Sequence, residues 1–300
     1  MRLKNFSEVI EKAQTGSPLP MSIAAAHDVD VLRAVQDAVK LQLIEPLFVG
    51  NRTKMLEAAE KLDFPLYQYQ VFSADTEAEA CFLAAELASA GKAKAIMKGL
   101  ANSTPFLKAV LTKELNLRTN RLLSHLSAFE IPGFDRLIYM TDGGLNIQPT
   151  TLEKQEIIIN AIDFLQSLGI AEPRAAILAA NERVHERMPV TVEAQALMKF
   201  FQDARMQIEG PLPLDLAISK ESLQHKGLQS KLGGTADLLV VPTIEAGNIF
   251  GKAITYFAGG TMAGLVLGAK VPLILNSRSD SAQAKLASIA LAALAAAKKR

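Results

Sequence analysis

Most of the features that would settle the class of this chain at once are missing from it. There is one cysteine, Cys81. No disulfide can form within the chain, and a lone thiol suits a reducing compartment, so a cytoplasmic protein is expected. Cys81 lies in EAEACFLAAELASA, a helical run in which a small buried apolar residue is the ordinary reading. Net charge is only +1, so no global field draws nucleic acid or an anionic membrane, and neither is an expected partner. Net charge says nothing about clefts, and a local anion site stays open. The most lipid-like run, residues 286–297, is mostly alanine, contains Ser288 and is too short to span a bilayer. The opening MRLKNFSEVIEKAQ is broken by acidic residues and does not read as a signal peptide.

Familiar chemical signatures are missing as well. No Gly-x-Gly-x-x-Gly follows the first strand and no phosphate loop with Gly-Lys-Ser/Thr occurs. His27, His125, His185 and His225 are scattered, without His/Cys zinc spacing, so no metal is expected. The lack of a G-x-S-x-G elbow argues against an α/β hydrolase. His125, on a strand in LLSHLSAF, reads as a satisfied core histidine before a catalytic one.

What is present is a core. Hydrophobic residues make up 49% and charged ones 21% of 300 residues, enough for one large domain or two smaller ones. Apolar bursts alternate with helical patterns from end to end. Strands are expected over residues 20–24, 46–50, 69–72, 95–99, 122–129, 136–141, 175–178, 236–241, 265–267 and 272–275, with a short one at 206–209. Asp28 should cap a helix that buries Val31, Leu32, Val35 and Ala38. Further helices are expected up to Lys61, over residues 75–90, from about Pro105, after Thr151, after Thr191, over 246–257 and after Asp280 or Ser281. This alternation predicts α/β architecture, mostly parallel sheets covered by helices and two layered domains with an interdomain cleft. Ligands in such folds sit beyond the carboxyl ends of the strands.

Four post-strand segments therefore carry the chemistry. In MKGLANSTPFLKAV, Asn102, Ser103 and Thr104 precede Pro105, and a helix start rich in hydroxyls suits an anion, with Lys108 a turn inside. Ordinary capping by Ser103 or Thr104 explains part of it equally well. In MTDGGLNIQPTTLEKQ, Asp142, Gly143 and Gly144 turn tightly before Asn146. In PTIEAGNIFGKAITYFAGG, Gly247 and Asn248 stand at a helix start, where Gly247 would admit a ligand to the backbone and Glu245 could cap. The fourth segment is NSRSDS, residues 276–281. Asp280 or Ser281 suffices to cap the last helix, whose Lys298, Lys299 and Arg300 complement its dipole. Capping leaves Ser277 and Arg278 unexplained; an arginine just off a strand end suits bidentate phosphate binding, and a structural salt bridge is the other reading of Arg278.

In their order and spacing these segments resemble the phosphate acetyl/butyryltransferase family over nearly the whole length. The resemblance also takes in AAAHDVDVLRAV, PLFVGN, GPLPLDLA and the run from ADLLVVPTIEAGN through VPLILNSRSDS. The segments TDGGLNIQPTTLEKQ and SRSDS followed by Lys285 are closest to the butyryl-type branch. The resemblance implies transfer of a short acyl group between coenzyme A and inorganic phosphate, with coenzyme A as substrate and no tightly bound cofactor. It implies two α/β/α domains of the isocitrate/isopropylmalate dehydrogenase-like kind, residues 1–120 plus 268–300 and residues 121–267, in a homodimer or higher homo-oligomer. Ser277 and Arg278 match the family's active-centre pair. The position of its proposed aspartate base holds Ala284, which leaves Asp280 as the nearest carboxylate. Lys108 stands where acetyl-type members have an arginine. Two other readings remain: a metal-dependent NAD(P) dehydrogenase on a related fold, and an inactive homologue that binds coenzyme A or phosphate.

Overall fold

The computed structural model describes residues 2–202 and 206–297. Lys298, Lys299 and Arg300, expected to complement the last helix dipole, lie outside the described residues. In chain order the first elements are α1 (Phe6–Gln14), β1 (Leu19–Ala24), α2 (Val29–Lys40), β2 (Ile44–Gly50) and α3 (Arg52–Glu60). Next come β3 (Gln70–Ser73), α4 (Glu77–Ser89), β4 (Ala95–Lys98), α5 (Ser103–Val110), β5 (Ser124–Glu130), β6 (Ile138–Thr141) and α6 (Thr151–Ser167). Then follow β7 (Arg174–Leu178), α7 (Pro189–Phe200), β8 (Gln207–Leu212), α8 (Leu214–Ile218), α9 (Lys220–His225) and β9 (Leu238–Val240). The chain closes with α10 (Ile244–Phe257), β10 (Thr261–Leu267), β11 (Leu273–Ile274) and α11 (Ala282–Ala297). The strand pairing is mostly parallel, so the fold is mixed α/β as expected.

Residue contacts cluster into two compact units, Phe6–Arg121 with Ala263–Arg300, and Met1–Asn5 with Leu122–Met262. In the first unit the strand order is β3-β2-β1-β4-β11, all parallel, with β10 antiparallel to β11. β1 and β4 are almost wholly buried, which explains their unbroken apolar sequences LPMSIA and AIMK. The buried Ser22 hydroxyl of β1 donates to the Ala84 carbonyl at 2.8 Å and fastens α4 to the sheet. α4 starts on a capping box between Thr76 and Glu79. α11 is apolar nearly all round because it is buried nearly all round, against α1 and α2.

In the other unit β5 and β6 are antiparallel, while β6, β9, β7 and β8 run parallel in that order. Phe129, Ile138, Met140, Leu216 and Leu239 are at the centre of its core. The first residues cluster with this unit: the Arg2 guanidinium pairs with buried Asp237, and Leu137 N–H donates to the Leu3 carbonyl at 3.0 Å. Asp237 also accepts the Arg174 N–H at 2.9 Å, so its buried charge is paired and hydrogen-bonded.

Several local expectations shift. Thr150, one residue before the expected Thr151, caps α6 in a capping box with Glu153. Thr191 lies inside α7, where its hydroxyl accepts the His185 N–H and donates to the Met188 carbonyl. Thr243, not Glu245, caps α10. α5 begins at Ser103, two residues before Pro105. A proline fits there because N–H groups of the first turn have no intrahelical partner to lose.

The ends of β1 and β4 are locked together. Gly99 N–H donates to the Ala24 carbonyl at 2.7 Å and Leu100 N–H to the Ala25 carbonyl at 2.9 Å. A Cβ on Gly99 would lie 2.5 Å from the Ala25 oxygen and 2.7 Å from that of Ala24. Both obstacles are backbone and cannot swing aside. Gly99→Ala is therefore expected to cost about 1–3 kcal/mol, visible as a lower denaturant midpoint with unchanged m-value. An unchanged midpoint would contradict this packing.

Candidate active site

Because β4 and β11 are parallel neighbours, the loops that leave them emerge at the same end. The loop after β11 is built around Asp280. Its Oδ2 accepts the Ser277 N–H at 2.8 Å and the Asn276 side-chain amide at 3.1 Å, and its own N–H donates to the Ser277 carbonyl at 3.2 Å. The Lys285 ammonium, buried in the first turn of α11, donates to the Asp280 carbonyl. Ser281 caps α11 by accepting the Ala284 N–H at 3.2 Å. Of the two expected caps, then, Ser281 serves the helix and Asp280 shapes the turn. The turn presents Ser277, Arg278 and Ser279 to solvent, the two hydroxyls 3.0 Å apart.

Arg278 is held from the other loop. One of its Nη atoms donates to Asn102 Oδ1 at 2.9 Å. Asn102 gives both of its donors, the backbone N–H and the side-chain amide, to the Glu77 carboxylate at the start of α4. Glu77 thus fixes Asn102, and Asn102 fixes Arg278. The arrangement has a second effect. Asn102 is the N-cap residue of α5, yet its side chain makes no capping bond. The first-turn N–H groups beside exposed Ser103 and Thr104 receive no bond from that side chain, and they carry the positive end of the helix dipole.

A third cation completes the site. Lys98, the last residue of β4, is only 4% exposed. Its ammonium donates to the Ala101 carbonyl at 3.0 Å and more weakly to that of Gly99 at 3.4 Å. Among the described residues no carboxylate forms an ion pair with it. Burial holds its pKa below the usual lysine range, and the charges of Arg278 and Lys285 push the same way; Cys81 and Asp280 oppose them. Cys81 itself is buried against this site and its thiol is pushed up to about 11, chiefly by burial, which fits an inert packing residue.

The structure thus brings Ser277, Arg278, Asp280 and Asn102 together, with Ser103 and Thr104 on the adjoining helix turn. Lys108 lies about 7 Å further along the α5 axis from Ser103 by helical rise. It lines a groove of ≈ 560 Å³ between α4 and α5 with Ala78, Phe82, Leu83, Pro105 and Thr112. Gly247 and Asn248 belong to the other unit, on the first turn of α10. The close approach that Gly247 permits is taken by Gly143: a Cβ on Gly247 would lie 2.6 Å from the Gly143 Cα. Asp142 organises that loop, accepting from the N–H groups of Gly144 and Leu145 at 2.9 Å each and from Asn146 at 2.7 Å. Sequence reasoning missed Lys98 and Glu77. A lysine ending the buried strand AIMK is a readable signal; Glu77 gave none.

Residues 73–293 match the family described as "Phosphate acetyl/butaryl transferase". The chain is 36% identical to the phosphate butyryltransferase of Clostridium acetobutylicum over 99% of this chain and 100% of that one. It is 35% identical to the phosphate acetyltransferase of Rhizobium meliloti over 98% of this chain and 94% of that one. Among solved structures, a branched-chain phosphotransacylase from Enterococcus faecalis V583 superimposes with TM-score 0.85 at 32% identity, covering 93% of this chain and 99% of that one.

Basic side chains beside a helix start whose N-cap side chain makes no capping bond should bind a tetrahedral oxyanion. Inorganic phosphate at 100 times its Kd is expected to stabilise the protein by ~2.7 kcal/mol. The effect should appear as a rise in Tm over a chloride control of equal ionic strength, and Arg278→Gln should remove most of it. Equal Tm values in the two salts would contradict an anion site.

Proposed function

We propose an acyl-transfer mechanism for this chain, which belongs to the family described as "Phosphate acetyl/butaryl transferase". It is a phosphate acyltransferase, moving a short acyl group between coenzyme A and inorganic phosphate, so that acyl-CoA and phosphate give acyl phosphate and CoA. The observation that carries the mechanism is Arg278, held on Asn102 at the start of α5 by a hydrogen bond of 2.9 Å. Its remaining N–H groups and the first-turn N–H groups near Ser103 and Thr104 bind the phosphate. The transfer is direct, in a ternary complex. In one direction the CoA sulfur attacks the acyl carbonyl and phosphate leaves; in the other, phosphate oxygen attacks the thioester and the thiolate leaves. The Ser277 hydroxyl donates a hydrogen bond to the charge that develops on the acyl oxygen, with the Ser279 hydroxyl 3.0 Å away to orient it.

Electrostatics supply much of the remaining barrier reduction. A free thiol titrates near 8.5, and cationic neighbours favour its ionised form. Asp280 is a weak candidate for the proton acceptor, since its Oδ2 already holds Ser277 N–H and the Asn276 amide. Lys108 offers an exposed charge to the longer substrate along the α4–α5 groove. The wider reading is an enzyme of the cytoplasm, a homo-oligomer, with coenzyme A as substrate and no tightly bound cofactor. Its two units would be α/β/α domains like those of the isocitrate and isopropylmalate dehydrogenases. A metal-dependent dehydrogenase is not favoured, because the matching family and the relatives are named for phosphate acyl transfer. Neither is an inactive homologue, because the relatives are named for transferase activity over the full length.

Phosphate-dependent release of free thiol from acyl-CoA tests the reading directly. Butyryl-CoA is the first substrate to try, then acetyl- and branched acyl-CoA, because one methylene discriminates by only about 1–3 kcal/mol. Ser277→Ala and Arg278→Gln are each expected to lower turnover by about 10²–10³ with the circular dichroism spectrum intact. No phosphate-dependent thiol from any of these esters would refute acyl transfer, and wild-type kinetics in Arg278→Gln would refute its role.

A further inference from the structure

We propose that Lys98 is the base that accepts the proton of the coenzyme A thiol, a role that rests on the acyl-transfer reading above. The geometry singles it out. Both carboxylates at the site are committed: Glu77 to the two donors of Asn102, and Asp280 to Ser277 N–H and the Asn276 amide. Arg278 is a guanidinium that cannot give up its proton, and the Lys285 nitrogen is engaged with the Asp280 carbonyl. Lys98 is different. Its nitrogen meets two backbone carbonyls, Ala101 at 3.0 Å and Gly99 at 3.4 Å. A neutral amine has two N–H groups to give them and keeps one lone pair, which no donor occupies among the described residues.

The charges around that nitrogen suit a base that works only when substrate is present. Its charge is felt by Arg278 and Asp280 of the loop after β11, Lys285 of α11 and the Cys81 thiol of α4. In the free enzyme burial and the two cations favour the neutral amine. An anionic acyl phosphate on Arg278 offsets those cations and so stabilises the ammonium that forms during reaction. In the step itself the S–H bond breaks and a bond from hydrogen to Lys98 Nζ forms. The sulfur pair makes the S–C bond to the acyl carbon, the C–O bond to phosphate breaks, and phosphate leaves with that pair. In reverse, the Lys98 ammonium returns its proton to the departing thiolate.

The test begins with wild-type enzyme, whose phosphate-dependent thiol release establishes the reaction independently of Lys98. Lys98→Arg places there a guanidinium, the same in charge as the lysine's protonated form, that cannot give up its proton at assay pH. It should lose about 10²–10⁴ in kcat while KM for phosphate moves only a few-fold. Lys98→Ala should regain activity in proportion to added free ethylamine, which a structural or phosphate-binding residue would not show. Near-wild-type kcat in Lys98→Arg would overturn the proposal. So would a large rise in phosphate KM with no amine rescue, the signature of a phosphate ligand. If neither variant folds, NMR titration of lysine-labelled wild type decides. The expected result is a Lys98 resonance titrating below the free-lysine range and moving to higher pH when phosphate is added; a Lys98 ammonium that persists with the other lysines would overturn the base.

Discussion

One buried lysine nitrogen without a carboxylate partner governs the organisation of this site. Lys98 is carried into the interior by β4, and the parallel pairing of β4 with β11 sets the loop bearing Arg278 and the start of α11 bearing Lys285 near it. The charges of Arg278 and Lys285 both disfavour the charged form of Lys98. Desolvation of an ion costs several kcal/mol unless a partner repays it, and here the chain supplies only backbone carbonyls. The fold therefore holds an unbalanced positive region that a phosphate would relieve. Bound anion and folded chain support each other because the electrostatic cost is present when the site is empty and reduced when it is filled.

Holding such a region needs rigid surroundings. Arg278 would otherwise swing into water, where its charge is screened. It is fixed by Asn102, which is fixed by Glu77, which sits at the start of a helix capped by Thr76 and Glu79 and fastened to β1 through Ser22. On the other side, buried Asn276 donates both to Asp280 and to Ser288 of α11, so the turn that presents Ser277 is tied to the helix that follows it. Gly99 joins β1 to β4 so closely that no side chain fits. The charged groups thus rest on strands and helices whose own positions are set by burial, the condition under which dipoles stay oriented through a reaction.

Much of this was readable before any coordinates. Parallel α/β architecture followed from apolar strands without alternation, and the post-strand segments pointed to residues 102–104 and 277–280. The family resemblance rested on the same segments. Short-range detail was less readable because neighbouring hydroxyls compete: Thr150 and Thr151 are both good caps, and backbone geometry, invisible in sequence, selects Thr150. The short helices α8 and α9 escaped notice because five and six residues carry too little periodicity to show. Glu77 was illegible for a different reason. Its role depends on Asn102, 25 positions away, and no local pattern reports a contact of that range. Lys108, chosen for its place in the helix, faces the α4 groove instead because the two helices pack along that side.

The missing carboxylate at Ala284 then takes on a different meaning. Ala284 is buried in the first turn of α11, next to Lys285. A carboxylate beside the three cations would pair with one of them and offset the field that draws phosphate. It would also raise the pKa of any lysine it touched and so keep that lysine protonated. Carbonyl oxygens do neither so strongly: they fix the lysine nitrogen in place while adding no formal charge. Anion attraction and lysine basicity are in this way two consequences of one arrangement, the placement of Lys98 against backbone instead of an acid. A chain that holds its acids on Asn102 and on the Ser277 turn, as this one does, retains both properties together.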